Sequence, residues 1–150
     1  RDQPRSRGLG DVYKRQYMIY GDLDHLKEIN DTWGHPAGNF ALRSVAEILK
    51  GCLRSNDILG RVGGDEYIIM LECEEADFGE KFRERVKMAC KLFNEKSGKP
   101  FLVEISLGIA EFRPNISTDI QQVISLADQQ LYEAKKHRKK SVSRANNEGA

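Results

Sequence analysis

The chain has 150 residues, 31% of them charged, and a formal net charge of +1. That length supports one domain with one core, and the charge balance argues against bulk electrostatic binding to nucleic acid or to an anionic membrane. No apolar run approaches the ~20 residues that span a bilayer, and the widely spaced Cys52, Cys73 and Cys90 read as free thiols of a reducing cytoplasm.

Residues 1–16 stand apart from the rest. Arg1 to Gly10 is rich in Arg, Gly, Pro and Ser without periodicity. Asp11-Val12-Tyr13-Lys14-Arg15-Gln16 looks like a translated sequencing adapter. The segment is therefore read as non-native, with a natural disordered arm as the alternative, and is left out of the fold argument.

From residue 17 the pattern is regular. Tyr17 to Tyr20 is apolar or aromatic on both faces, as a central strand is, and it ends at Gly21-Asp22-Leu23-Asp24. His25 to Asp31 predicts a short helix whose N-terminus lies beside those carboxylates, a good place for phosphate. Residues 32–38 predict a turn-rich connection. Asn39 to Arg54 has helical spacing with one buried stripe at Leu42, Val45, Ile48 or Leu49, and Cys52.

Two strand-like runs follow, Ile58 to Val62 and Tyr67 to Leu71, joined by Gly63-Gly64-Asp65-Glu66. Paired glycines between such runs predict a tight hairpin turn. Two acids at its tip repel each other, and a cation is the natural reason to place them there. A solvated acidic tip is the plainer alternative. Phe78, Phe82, Val86, Ala89 or Cys90, and Phe93 mark another amphipathic helix. Val103 to Ala110 predicts a strand. Thr118 and Gln121 form a capping-box pattern opening a helix that buries Ile120, Val123 or Ile124, Ala127, Leu131 and Ala134. Residues 146–150 are expected to be a disordered tail.

The order β-α-α-β-β-α-β-α predicts an α/β (α+β) fold. Its expected form is a palm-like or ferredoxin-like, antiparallel-rich sheet with helices on one side. The domain is expected over 17–145.

Gly21-Asp22-Leu23-Asp24 and Gly63-Gly64-Asp65-Glu66-Tyr67 together resemble the GGDEF family, the diguanylate cyclases, with Tyr where Phe is usual. The resemblance covers about residues 17–142. It implies a palm-like fold and a first helix that this chain lacks. It also implies a bacterial signalling enzyme that condenses two GTP into cyclic di-GMP and two pyrophosphates. Mg²⁺ or Mn²⁺ would be held by Asp22, the Leu23 carbonyl and Asp65. Asp65, Glu66 and Lys27 would be catalytic, with Asp65 helping to deprotonate the attacking 3′-hydroxyl and Asp24 supporting the metal ligands. His25, Leu26, Gly63 and Gly64 would line the bound nucleotide. Asn30 and Asn39 would read guanine, although the family has Asp at the second position and Asn39 could instead cap the following helix.

Lys135, in Tyr132-Glu133-Ala134-Lys135, and Lys139 would bind phosphate. The alternative is a basic helix end favoured by the helix dipole. Arg54 and Asp57, spaced as Arg-x-x-Asp before the turn, resemble the family's inhibitory product site, with Lys87 as its third member. As a lone spacing the pair also suits a surface contact.

The implied partners are GTP, cyclic di-GMP, a second copy of the chain and a missing N-terminal sensory or dimerising module, with neither nucleic acid nor direct membrane contact. A cytoplasmic location follows, with tethering through the missing region left open. Two other readings stay available. One is a catalytically inactive module that senses cyclic di-GMP or GTP. The other is a cyclase with relaxed base choice, through Asn39, making mixed cyclic dinucleotides.

Overall fold

The computed structural model describes residues 15–112 and 119–148, with side-chain environments up to Lys136. Within these residues the elements are β1 (Arg15–Leu23), α1 (Leu26–Trp33), α2 (His35–Gly51), β2 (Ile58–Val62), β3 (Glu66–Cys73), α3 (Phe78–Ser97), β4 (Ile105–Phe112) and α4 (Ile120–Glu148). The strands form one antiparallel sheet in the order β2-β3-β1-β4.

β1 is central, as its two-sided apolar pattern predicts. Tyr17, Ile19 and Leu23 pack on Leu42, Val45 and Leu49 of α2 and on Phe82 and Val86 of α3. Each such fully buried side chain stabilises by about 1.5–3 kcal/mol. Met18 points to the opposite face and meets Ala110, Val123 and Ala127. Helices therefore cover both faces of the sheet, not one. A strand apolar at consecutive positions needs a cover on each side, and α4 supplies the second. It sits against β4 at Gly108, where an added Cβ would lie 2.1 Å from the Ala127 carbonyl oxygen.

Several boundaries differ from the sequence reading. β1 begins at Arg15, two residues inside the segment set aside. Arg15 pairs with Glu111 at 2.9 Å and Gln16 donates to Glu72 at 3.1 Å, so cross-strand partners extend the strand. α2 starts at His35 rather than Asn39, with Gly34 at φ +91° separating it from α1 and a proline in its first turn. Asn39 is thus the fifth residue of α2 and does not cap it. Asp119 caps α4 by accepting from the Gln121 amide at 2.9 Å, and Thr118 lies outside the described residues. Ile120 is 44% exposed because the buried stripe of α4 begins at Val123. Residues 146–148, expected in a disordered tail, are helical.

β4 is an edge strand, and side chains meet the backbone in it and in the segment leading to it. Asn94 holds Val103 through both its amide and its carbonyl, at 2.9 and 3.0 Å. Arg83 donates to the Leu107 carbonyl at 2.7 Å. Gln130 accepts from the Ile109 amide at 3.1 Å. None of the described helices is long and apolar enough to cross a membrane.

Candidate active site

The register of the sheet assembles the site. Asp22, near the end of β1, lies directly across from Glu66, the first residue of β3. Asp65 precedes Glu66 in the β2–β3 turn. The two acidic clusters, forty residues apart in sequence, therefore meet at one end of the sheet.

The turn itself follows from its glycines. Gly63 has φ +71°, which costs a glycine nothing, and nothing lies within 4 Å of an added Cβ at Gly63 or Gly64. Arg61 Nε and Nη2 donate to the Gly64 carbonyl and tie the turn closed. Behind it, the Tyr67 hydroxyl donates to the Leu42 carbonyl at 2.6 Å. Tyrosine in place of phenylalanine thus pins the hairpin to α2.

Asp22 is buried, at 7% exposure. Lys135 Nζ, from α4, reaches its Oδ2 at 2.6 Å. Asp22 Oδ1 is buried with no hydrogen-bond partner among the described residues. Burial pushes the Asp22 carboxyl up to about 6, Lys135 pulls it back, and the charges on Asp65 and Glu66 push it further up.

Beside this pair is a cavity of about 330 Å³ lined by Leu23, Asp24, His25, Leu26, Lys27, Glu28, Asp65 and Lys135. It gathers most of the expected catalytic, metal and phosphate residues. The β1–α1 turn lines it, and there His25 precedes α1 with φ +62°. Among the described residues no three His, Cys, Asp or Glu side chains could hold a metal by themselves. A cation at Asp22 would need further oxygens from backbone, water or bound phosphate, the donor set hard cations accept. An acceptor-only carboxylate with a buried, unpartnered oxygen fits that role.

Asn30 lies outside this cavity lining, at the crossing of α1 and α2. An added Cβ on Gly38 would fall 1.8 Å from Asn30 Oδ1, so glycine is what lets the amide lie there. Asn39 is the next residue and is exposed. The two amides thus border one helix crossing. Lys139 is on α4, and its side chain lies outside the described residues.

Arg54 and Asp57 close a turn of their own. The Asp57 carboxylate accepts from the Arg54 amide at 2.8 Å, and the Asp57 amide donates to the Arg54 carbonyl at 3.1 Å. Lys87 lines a groove with Met88, Lys91, Leu102 and Glu104. Arg85 is the α3 cation beside this loop, donating to the Cys52 carbonyl at 3.3 Å. Helical phase carried the signal: Arg85 is three residues past buried Phe82, on the flank facing α2.

A carboxylate cluster at the end of an antiparallel sheet, beside a cavity lined by two lysines, sits in a domain of palm-like fold. The family described as "Diguanylate cyclase, GGDEF domain" matches residues 8–141, and the chain belongs to it. The chain is 36% identical over 130 residues to diguanylate cyclase A of Treponema denticola, covering 84% of this chain and 34% of that one. It is 40% identical over 126 residues to diguanylate cyclase DosC of Escherichia coli K12, covering 81% and 26%. The chain thus spans about a third or less of these relatives' length.

Solved structures agree. The GGDEF domain of DgcB from Caulobacter crescentus, in complex with c-di-GMP, has a TM-score of 0.71 at 25% identity, covering 83% of this chain and 74% of that one. Diguanylate cyclase SiaD from Pseudomonas aeruginosa, in complex with its activator SiaC, has a TM-score of 0.71 at 30% identity, covering 89% and 50%.

Proposed function

We propose that this chain is the catalytic domain of a diguanylate cyclase, condensing two GTP into cyclic di-GMP with release of two pyrophosphates. The observation that carries this reading is the Asp22–Glu66 register, which places Asp22, Asp65 and Glu66 together beside Lys135. Named diguanylate cyclases among the relatives support it.

Asp22 and Asp65, with the Leu23 carbonyl, would hold Mg²⁺ or Mn²⁺, which when bound supplies Lewis-acid polarisation of the phosphates. Lys135 and Lys27 offer cations to the triphosphate. The open backbone at Gly63 and Gly64 lets a polyanion approach the turn. Asp65 accepts the proton of the attacking 3′-hydroxyl, the new bond forms to the α-phosphorus of the other nucleotide, and pyrophosphate leaves. Asn30 and Asn39, at the helix crossing, are positioned to read the base. Each domain holds one GTP, so the reaction needs two copies face to face. Arg54 and Asp57, with Arg85 in place of Lys87, form the product-binding site in this reading.

The test is pyrophosphate release from GTP with Mg²⁺, comparing wild type with Asp65→Asn. Turnover is expected in the first and not in a folded variant. Near-normal release from Asp65→Asn would remove Asp65 from the machinery. Binding of GTP or cyclic di-GMP without any pyrophosphate release by the wild type would favour a sensor.

A further inference from the structure

The turn between β1 and α1 is the strained part of the site. His25, at φ +62°, is the one positive-φ residue other than glycine among the described residues. A residue with a Cβ in the left-handed region costs about 1 kcal/mol or more, and such a conformation persists only where its surroundings favour it.

Two contacts enforce it, and both fall on Asp24. Its amide donates to the Glu104 carbonyl at 2.8 Å. Its Oδ1 accepts from the Ser106 hydroxyl at 2.6 Å. Both side chains are buried, Asp24 at 5% and Ser106 at 2% exposure, and a short O–H···O contact to a carboxylate is among the stronger hydrogen bonds. Ser106 is also the cross-strand partner of Asp22. The segment bearing Glu104 and Ser106 is itself fixed, because Asn94 clamps Val103 through both backbone groups. Rigid contacts therefore run from α3 through Val103 and Ser106 to Asp24, one residue from the Leu23 carbonyl and two from Asp22.

We infer that Ser106 is a positioning residue for the divalent-cation subsite: acting through Asp24, it fixes the Leu23 carbonyl and the Asp22 carboxylate toward one point. This rests on the reading of Asp22 and Leu23 as metal ligands given above. Ser106 touches neither nucleotide nor metal. It acts as the supporting groups of metal ligands do, by removing the freedom of the ligands to turn away.

A structural role alone would lower the melting temperature of a Ser106 variant and leave the metal affinity of its folded form unchanged. The experiment is a calorimetric Mn²⁺ titration without nucleotide, run well below the melting temperatures of wild type, Ser106→Ala, Ser106→Cys and Asp22→Asn. Ser106→Ala is expected to bind Mn²⁺ about 10–100-fold more weakly. Ser106→Cys, which keeps the shape with a weaker donor, is expected to fall in between and guards against misfolding of the alanine variant. Asp22→Asn is expected to abolish the binding. If Asp22→Asn abolishes binding while both Ser106 variants stay within about twofold of wild type, the positioning role is overturned and the metal site stands. If Asp22→Asn binds as wild type does, the metal-site reading falls, and this inference with it.

Discussion

Lys135 Nζ lies 2.6 Å from Asp22 Oδ2, so the lysine expected to meet phosphate is paired with the carboxylate expected to meet metal. The two roles compete for one pair of charges. Replacing Lys135 with Met should tighten nucleotide-free Mn²⁺ binding by roughly threefold to fivefold, the worth of a part-exposed ion pair. The same change should weaken GTP binding. In the wild type, metal and nucleotide then bind cooperatively, since the triphosphate draws Lys135 off Asp22. Titrations of each ligand with and without the other would measure the coupling. Equal Mn²⁺ affinity in Lys135→Met would show that the pair does not hold the metal back.

Asp22 should also make stability depend on pH. Burial raises its folded carboxyl to about 6 from 3.8, so between those values the folded state binds more protons than the unfolded one. Stability therefore falls as pH rises from about 4 to about 6. Asp22→Asn mimics the protonated form. It should stabilise the metal-free protein by about 1 kcal/mol at pH 8, after allowing for screening by water, and by nothing at pH 4. Thermal melts at the two values check this. A destabilised variant at pH 8 would mean that Lys135 outweighs burial.

The loop at Arg54 should govern product inhibition. Arg54→Ala and Arg85→Ala are each expected to weaken cyclic di-GMP binding by ~1–3 kcal/mol, the cost of losing a charged hydrogen-bond partner, and to relieve inhibition of turnover. Lys87→Ala should do neither. Calorimetry with cyclic di-GMP reads all three. A Lys87 effect equal to that of Arg85 would place Lys87 in the product site beside it.

Asn39 should set base preference. It is exposed inside α2, next to the glycine that receives Asn30. Asn39→Asp should bind GTP more tightly by ~1 kcal/mol, about fivefold, because a charge-assisted hydrogen bond replaces a neutral one. Discrimination against ATP should sharpen with it. Product identity in a GTP and ATP competition decides the matter, and an unchanged preference would leave Asn39 with no part in reading the base.

Local chemistry was legible in the sequence where one residue type has one use. The glycines of the hairpin, the two acidic clusters and the two-sided pattern of β1 all gave the element found. What was not legible depended on tertiary partners. β1 gains Arg15 and Gln16 from ladder partners on β3 and β4 and from side-chain contacts to Glu111 and Glu72. The second helical layer follows from Met18 meeting α4, which no window of sequence contains. Arg85 and Lys87 differ by two positions, and only the phase of α3 against α2 tells them apart. The Lys135–Asp22 pair joins residues from the first strand and the last helix, and neither element announces the other.

The side chains along β4 bear on how such a domain can live beside its own copy. The proposed reaction between two copies would raise their local concentration, and high local concentration favours accidental strand pairing at exposed sheet edges. Asn94, Arg83 and Gln130 already occupy backbone positions that an invading strand would use. Encounters on that side are thereby left to side-chain surfaces, which can separate again. If the proposed reaction runs between two copies, contacts on the β4 side can then form and separate without strand exchange.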